Sequence, residues 1–140
     1  MGADEELAER LRQSISRFVR LVRSQADALP PTRSEPLDAL LREGPQTIAQ
    51  LAARRGVKHQ SMSRTVAELE ALGLVGREAS ATDRRACLIM LTDAGTTALE
   101  ADRLARRDWV AKAIGARLTP TEREMLDVVP ALLDRLSAAD

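Results

Sequence analysis

The sequence predicts a mostly α-helical protein interrupted by one small β-element of two or three strands, and three observations carry that prediction. Apolar residues recur at three- and four-residue steps through most of the chain, which is the spacing of one helix face. The stretch from Leu74 to Leu91 breaks the pattern, with two apolar runs on either side of a polar Ser80-Ala81-Thr82-Asp83 bend. One Phe, one Trp and no Tyr among 140 residues leave the core to Leu, Val, Ile, Met and Ala, a composition that suits helices.

The first helix is expected over residues 4 to 29, with Leu7, Leu11, Ile15, Phe18, Leu21 or Val22, and Leu29 along one stripe, ended by Pro30 and Pro31. So long a single stripe needs a partner surface, within the chain or from another copy, and dimerisation is expected from it. A second helix should start near Ser34, tolerate Pro36 in its first turn, turn Leu37, Leu40 and Leu41 inward and stop at Gly44. Thr47 is placed to cap a third helix that buries Ile48, Leu51 and Ala52 and ends at Gly56.

The fourth helix follows at once, with Met62, Val66 and Leu69 facing the core and His59, Gln60, Ser63 and Arg64 left outside. Two short helices joined by a tight turn containing Gly form a helix-turn-helix. Gly73 closes the fourth helix, and Leu74 to Arg77 with Ala86 to Leu91 make a hairpin, or wing. Thr92 and Asp93 then cap a long helix through Leu99, Leu104, Trp109 and Val110 to about Ile114, with its end weakened by Gly115. The last helix opens on a capping box, Thr119 to Glu122, with Pro120 at its first position. Its apolar side holds Met125, Leu126, Val129, Leu132, Leu133 and Leu136, and Pro130 inside that pattern should kink or break it.

The chain length fits one domain, residues 1–140. Within it, residues 34–95 read as a winged helix-turn-helix lobe and residues 1–33 and 96–140 as a separate helical region. No apolar run is long enough to span a membrane and the N-terminus is acidic, so a cytoplasmic protein is expected, on the nucleoid when bound to DNA. Cys87 is the single cysteine and His59 the single histidine, which leaves no intrachain disulfide and no all-protein zinc site. No Gly-rich phosphate loop and no Ser-His-Asp constellation points to an enzyme, and no cofactor is expected.

Net charge is zero, but its distribution is uneven. Residues 42 to 92 hold eight basic residues against five acidic ones, so that this third of the chain carries +3 and the remainder −3. Gly44 to Ala67 contains Arg54, Arg55, Lys58 and Arg64 and no carboxylate, the footprint expected where phosphates approach, or else a solvated helix face.

Ser61, Met62 and Arg64, then Leu69, Glu70, Gly73, Leu74 and Val75, then Asp83, Arg84 and Arg85, then Thr92 and Gly95 together resemble the MarR family of bacterial transcription regulators. The resemblance implies a homodimer in which the first helix and the last two interlock, so that residues 1–33 and 96–140 form the dimerisation region, each subunit presenting a winged helix-turn-helix to double-stranded DNA with an inverted-repeat operator. It also implies a small-molecule effector lodged between the dimer-forming helices and the DNA-binding lobe, although the scarcity of aromatic residues argues against an aromatic-lined pocket.

The chemistry of the residues agrees with these assignments. Gln60, Ser61 and Ser63 donate to and accept from base edges or phosphates, and the forked donors of Arg64 suit guanine or a phosphate. Lys58 and His59 stand at the helix start, where backbone N–H groups also favour a phosphate. Arg84 and Arg85 would reach a neighbouring groove or backbone from the wing, with Asp83 orienting one of them. Ser61 beside Met62 reads equally as a packing residue, and His59 equally as an idle surface group. Arg54 and Arg55 read as peripheral phosphate contacts or as no contact. Cys87 reads as a small buried hydrophobe.

The function expected is therefore sequence-specific, dimeric transcription regulation, with repression the leading outcome. A winged-helix protein–protein module without DNA readout is the alternative, and the carboxylate-free run argues against it.

Overall fold

A computed structural model describes residues 1–26, 29–82 and 85–138, and among them lie seven helices and two strands. In chain order these are α1 (Ala3–Ala26), α2 (Pro31–Glu43), α3 (Ile48–Arg55), α4 (His59–Ala71), β1 (Val75–Ala79), β2 (Cys87–Leu91), α5 (Asp93–Arg117), α6 (Pro120–Asp127) and α7 (Val129–Leu136). The chain divides into two compact units, residues 26–105 and residues 1–25 with 106–140.

The 26–105 unit holds the hydrophobic core. Leu37 and Leu40 of α2, Leu51 of α3, Met62, Val66 and Leu69 of α4, Val75 of β1, Ile89 of β2 and Leu99 of α5 pack into one cluster. Helix α2 starts at Pro31, earlier than the expected Ser34, because a proline at the first helical position has no N–H to leave unsatisfied. The N–H groups of Arg33 and Ser34 donate to Pro30 O at 2.9 and 3.0 Å. Leu41 was expected inward but is 53% exposed, since Leu37 and Leu40 already fill the narrow face that α2 turns to the core.

The strands pair antiparallel with Val75 opposite Leu91, Arg77 opposite Ile89 and Ala79 opposite Cys87. A third strand is reduced to one isolated bridge, in which Gln46 N donates to Ile89 O at 3.1 Å and Ile89 N to Gln46 O at 2.7 Å. The buried Gln46 side chain is satisfied by donating to Ala39 O at 3.2 Å. The wing is joined to α5 by Thr92, whose hydroxyl donates to Gly73 O at 2.6 Å and accepts from Gly95 N at 3.0 Å. Gly95 is required at this joint: a Cβ there would lie 2.2 Å from Leu74 O and 2.7 Å from Leu91 Cδ1. Asp102 of α5, fully buried, accepts from Leu29 N at 3.2 Å.

Helix α5 continues past Gly115 to Arg117, because one glycine costs a helix only about 1 kcal/mol and here is outweighed by its neighbours. In the second unit, Thr119 and Glu122 form the expected capping box, with Glu122 N donating to Thr119 Oγ1 at 3.2 Å and Thr119 N to Glu122 Oε1 at 2.9 Å. Pro130 breaks the last helix as expected: α6 ends at Asp127, and Pro130 falls in the first turn of α7, where a missing N–H is harmless. Among the described residues of this unit Val22 is the buried apolar one, whereas Leu7, Phe18 and Leu21 of α1 and Met125, Leu132 and Leu136 of α6 and α7 are exposed. No helix among the described residues is long and apolar enough to cross a membrane.

Candidate nucleic-acid interface

Helices α3 and α4 are set by local sequence. Thr47 caps α3 through a full capping box, accepting from Gln50 N at 3.1 Å while Thr47 N donates to Gln50 Oε1 at 2.9 Å. Gly56 ends α3 in the left-handed region at φ 71°, and Val57 N returns to Ala52 O at 3.0 Å. Only two residues then separate that glycine from α4, so the second helix is fixed at an angle to the first while its inner stripe of Met62, Val66 and Leu69 is buried at 1% exposure or less.

The start of α4 differs from the starts of α3 and α6. Its N-cap is Lys58, in extended conformation, whose side chain makes no capping hydrogen bond, and its first turn carries no acid. The N–H groups of that turn therefore lack the side-chain acceptors that Thr47 and Thr119 supply elsewhere, and a lysine stands beside them. Lys58, His59, Gln60, Ser61 and Arg64 are all exposed and Ser63 is half-buried. Among the described residues none of these six side chains has a hydrogen-bond or ion-pair partner. Thr65, by contrast, is spent within the helix, its hydroxyl donating to Ser61 O at 3.1 Å. Ser61 is thus a surface residue rather than part of the packing beneath Met62.

The positive field of the carboxylate-free run is smaller than the sequence suggests. Arg54 pairs with Glu43, and Arg55 pairs with Glu35 and also donates to Pro31 O at 3.1 Å. Both carboxylates lie outside Gly44 to Ala67, on α2, which brings them in. Lys58 and Arg64 are the cations of this run that keep their charge uncompensated within the described residues, one at the N-cap of α4 and the other on that helix.

On the wing, Arg85 is exposed and lines a shallow groove with Arg77, Glu78, Ala79, Ala86 and Cys87. Asp83 and Arg84, expected at the wing tip, lie outside the described residues. The Cys87 thiol is exposed, not buried as expected. It pairs with Ala79 at the far end of the ladder, two residues beyond Ile89, where the strands have run past the core. No group of His, Cys, Asp and Glu side chains that could hold a metal ion occurs among the described residues.

A profile of the MarR family matches residues 29–86, which span α2 to the wing. An uncharacterized HTH-type transcriptional regulator of Mycobacterium bovis is 32% identical over 140 residues, covering 96% of this chain and 97% of the relative. The chain belongs to the MarR family. Its relatives are transcription regulators, and its helix-turn-helix and two-stranded wing are the winged-helix lobe of such a protein. A solved Pseudomonas aeruginosa protein described as a transcriptional regulator superposes on this MarR chain with a TM-score of 0.80, at 29% identity and with 100% of both chains covered. A Staphylococcus aureus MepR variant bound to an oligodeoxyribonucleotide shares the fold at a TM-score of 0.64, with 19% identity over 97% of this chain and 99% of that one.

Two features of the MarR lobe were out of reach of sequence reasoning. The pairing of Arg54 and Arg55 depends on acids contributed by other elements, and no local spacing signals it. The same holds for Arg33 with Glu68 at 3.8 Å and Arg77 with Glu70 at 2.9 Å, which bind the acids of α4 to α2 and to β1.

Proposed function

We propose that this MarR-family chain is a sequence-specific regulator of transcription that binds double-stranded DNA as a homodimer and represses. Helix α4 is the recognition helix in this reading: Gln60, Ser61, Ser63 and Arg64 meet base edges or phosphates, while Lys58, His59 and the uncapped first turn hold a phosphate. Arg84 and Arg85 of the wing meet the adjacent backbone or groove, with Asp83 orienting one of them. The observation that carries the reading is the contrast along α4. The N-cap Lys58 and the amino-terminal half of the helix offer six exposed or half-buried polar side chains without partners among the described residues and no carboxylate, on a helix whose opposite face is locked into the core.

The homodimer is supported by the apolar faces that α1, α6 and α7 leave exposed in the single chain, with Phe18 at 50%, Met125 at 67% and Leu136 at 73%. Two lobes related by a two-fold axis would read an inverted repeat with half-sites about 34 Å apart, one turn of the duplex. The oligonucleotide bound to the MepR variant accords with this reading for the shared fold.

Gel-shift titration against the protein's own promoter tests it. Arg64→Ala and Arg85→Ala should each weaken binding about tenfold or more. If both variants bind as the wild type does, the assigned surface is wrong and the winged-helix protein–protein alternative takes its place.

A further inference from the structure

Helix α4 carries two carboxylates, Glu68 and Glu70. Ser61, Arg64 and Glu68 follow one another at three- and four-residue steps, so they share one outward stripe, and Glu68 stands at the spacing where a base and an acid on one helix pair. That pair does not form. Glu68 Oε2 lies 3.8 Å from Arg33 of α2, and Arg77 Nε of β1 donates to Glu70 Oε2 at 2.9 Å. Each acid of the helix has an arginine of a neighbouring element within ion-pair range, Glu70 with a hydrogen bond and Glu68 at the longer 3.8 Å, and Arg64 has no ion pair among the described residues. A carboxylate released on this stripe would compete for Arg64 and repel a phosphate.

We propose that Arg33 and Arg77 are positioning residues for DNA binding, each holding one acid of the recognition helix against a neighbouring element so that Arg64 meets the nucleic acid uncompensated. The proposal rests on the DNA-binding reading and adds two residues to it. Arg33 carries the larger effect, because Glu68 shares the stripe of Arg64 and Glu70 does not. Arg77 has the second effect of tying the far end of the recognition helix to the first strand of the wing. The side chains of the two pairs are 37% to 50% exposed, so solvent screens them and they add little to folding stability. Their consequence falls on binding, where an uncovered carboxylate meets a dense line of phosphates.

A double-mutant cycle tests this, read by fluorescence anisotropy on a labelled duplex that the wild-type chain has selected from a random pool. Arg33→Ala should weaken binding about tenfold, Glu68→Gln alone should leave affinity unchanged or raise it, and the double variant should return to within about twofold of the wild type. Arg77→Ala and Glu70→Gln should behave in the same way with a smaller loss. If the loss in Arg33→Ala persists in the double variant, Arg33 touches DNA itself and the proposal falls. It falls equally if Glu68→Gln alone weakens binding, or if Arg33→Ala lowers the melting temperature in step with affinity. Arg64→Ala separates this proposal from the reading beneath it. A wild-type chain that selects no duplex, or an Arg64→Ala variant that binds normally, overturns DNA recognition by α4. An Arg64→Ala variant that binds weakly beside an Arg33→Ala variant that binds normally overturns the positioning role alone.

Discussion

Residues 26–105 bury Leu37, Met62, Val66, Leu69 and Ile89 at 1% exposure or less, whereas residues 1–25 with 106–140 bury Val22 and leave Phe18, Val19, Met125, Val128 and Leu136 at 45% or more. Both regions have amphipathic helices. The difference lies in what each stripe meets: α2, α3, α4 and the wing face one another, and α1, α6 and α7 present apolar surface to solvent in the single chain. A periodic apolar stripe therefore specifies that burial is needed and leaves open where the partner comes from. In the first region the chain supplies it; in the second we assign it to another copy.

The largest effect expected is on the self-contained region. Gly95→Ala would place a methyl group 2.2 Å from Leu74 O, a backbone atom also held by Thr92 N at 3.2 Å, so neither side can move without opening the joint between wing and α5. Loss of about 3 kcal/mol or more is expected, seen in urea unfolding as a lower midpoint. Unchanged stability would mean that the 26–105 core does not depend on this close approach.

The next effect concerns the open region. Leu132→Asp together with Leu136→Asp on α7 should leave helix content unchanged, because both side chains are exposed in the chain by itself, at 43% and 73%. Sedimentation should instead show a dimer replaced by monomer, a loss of about 3 kcal/mol or more in association. If circular dichroism collapses while the wild type sediments as a monomer, those leucines serve the single chain and the contrast between the regions disappears.

Much of this architecture was legible in the chain because its signals are local. Thr47 before α3, Thr119 with Glu122, Gly56 after α3 and Pro130 after Asp127 each act within a few residues, and each lies where the sequence reading placed it, while the reciprocal bond of Gln50 to Thr47 was not foreseen. The exposure of the candidate site was legible to the same depth: His59, Gln60, Ser61 and Arg64 lie outward, with Ser63 half-buried, because Met62, Val66 and Leu69 fix the inner face. What escaped depends on distance through space. Leu41 and Cys87 were read as buried from their apolar neighbours, yet burial depends on how far the core reaches along α2 and along the wing. The ion pairs of Arg33, Arg54, Arg55 and Arg77 join elements that periodicity treats separately.

The smallest effect sharpens the comparison at matching sites. Helices α3 and α6 open with the same reciprocal cap, but the third residue is Gln50 in the 26–105 region and Glu122 in the other. The Thr119 N–H, and then the Thr119 hydroxyl as a partner, hold the Glu122 carboxyl below its ordinary value, while Gln50 does not titrate. A folded pKa below the unfolded one means that the cap contributes fully above the unfolded glutamate value of about 4.3 and is lost as pH falls through the folded pKa. Acidification should therefore loosen the start of α6 before that of α3. Amide exchange at Thr119 should rise on going from pH about 5 to about 3, after correction for intrinsic rates, with Thr47 unchanged over the same range. Glu122→Gln should remove the difference, and if the two amides still diverge in that variant, the pH response comes from elsewhere in the open region and the cap is not its source.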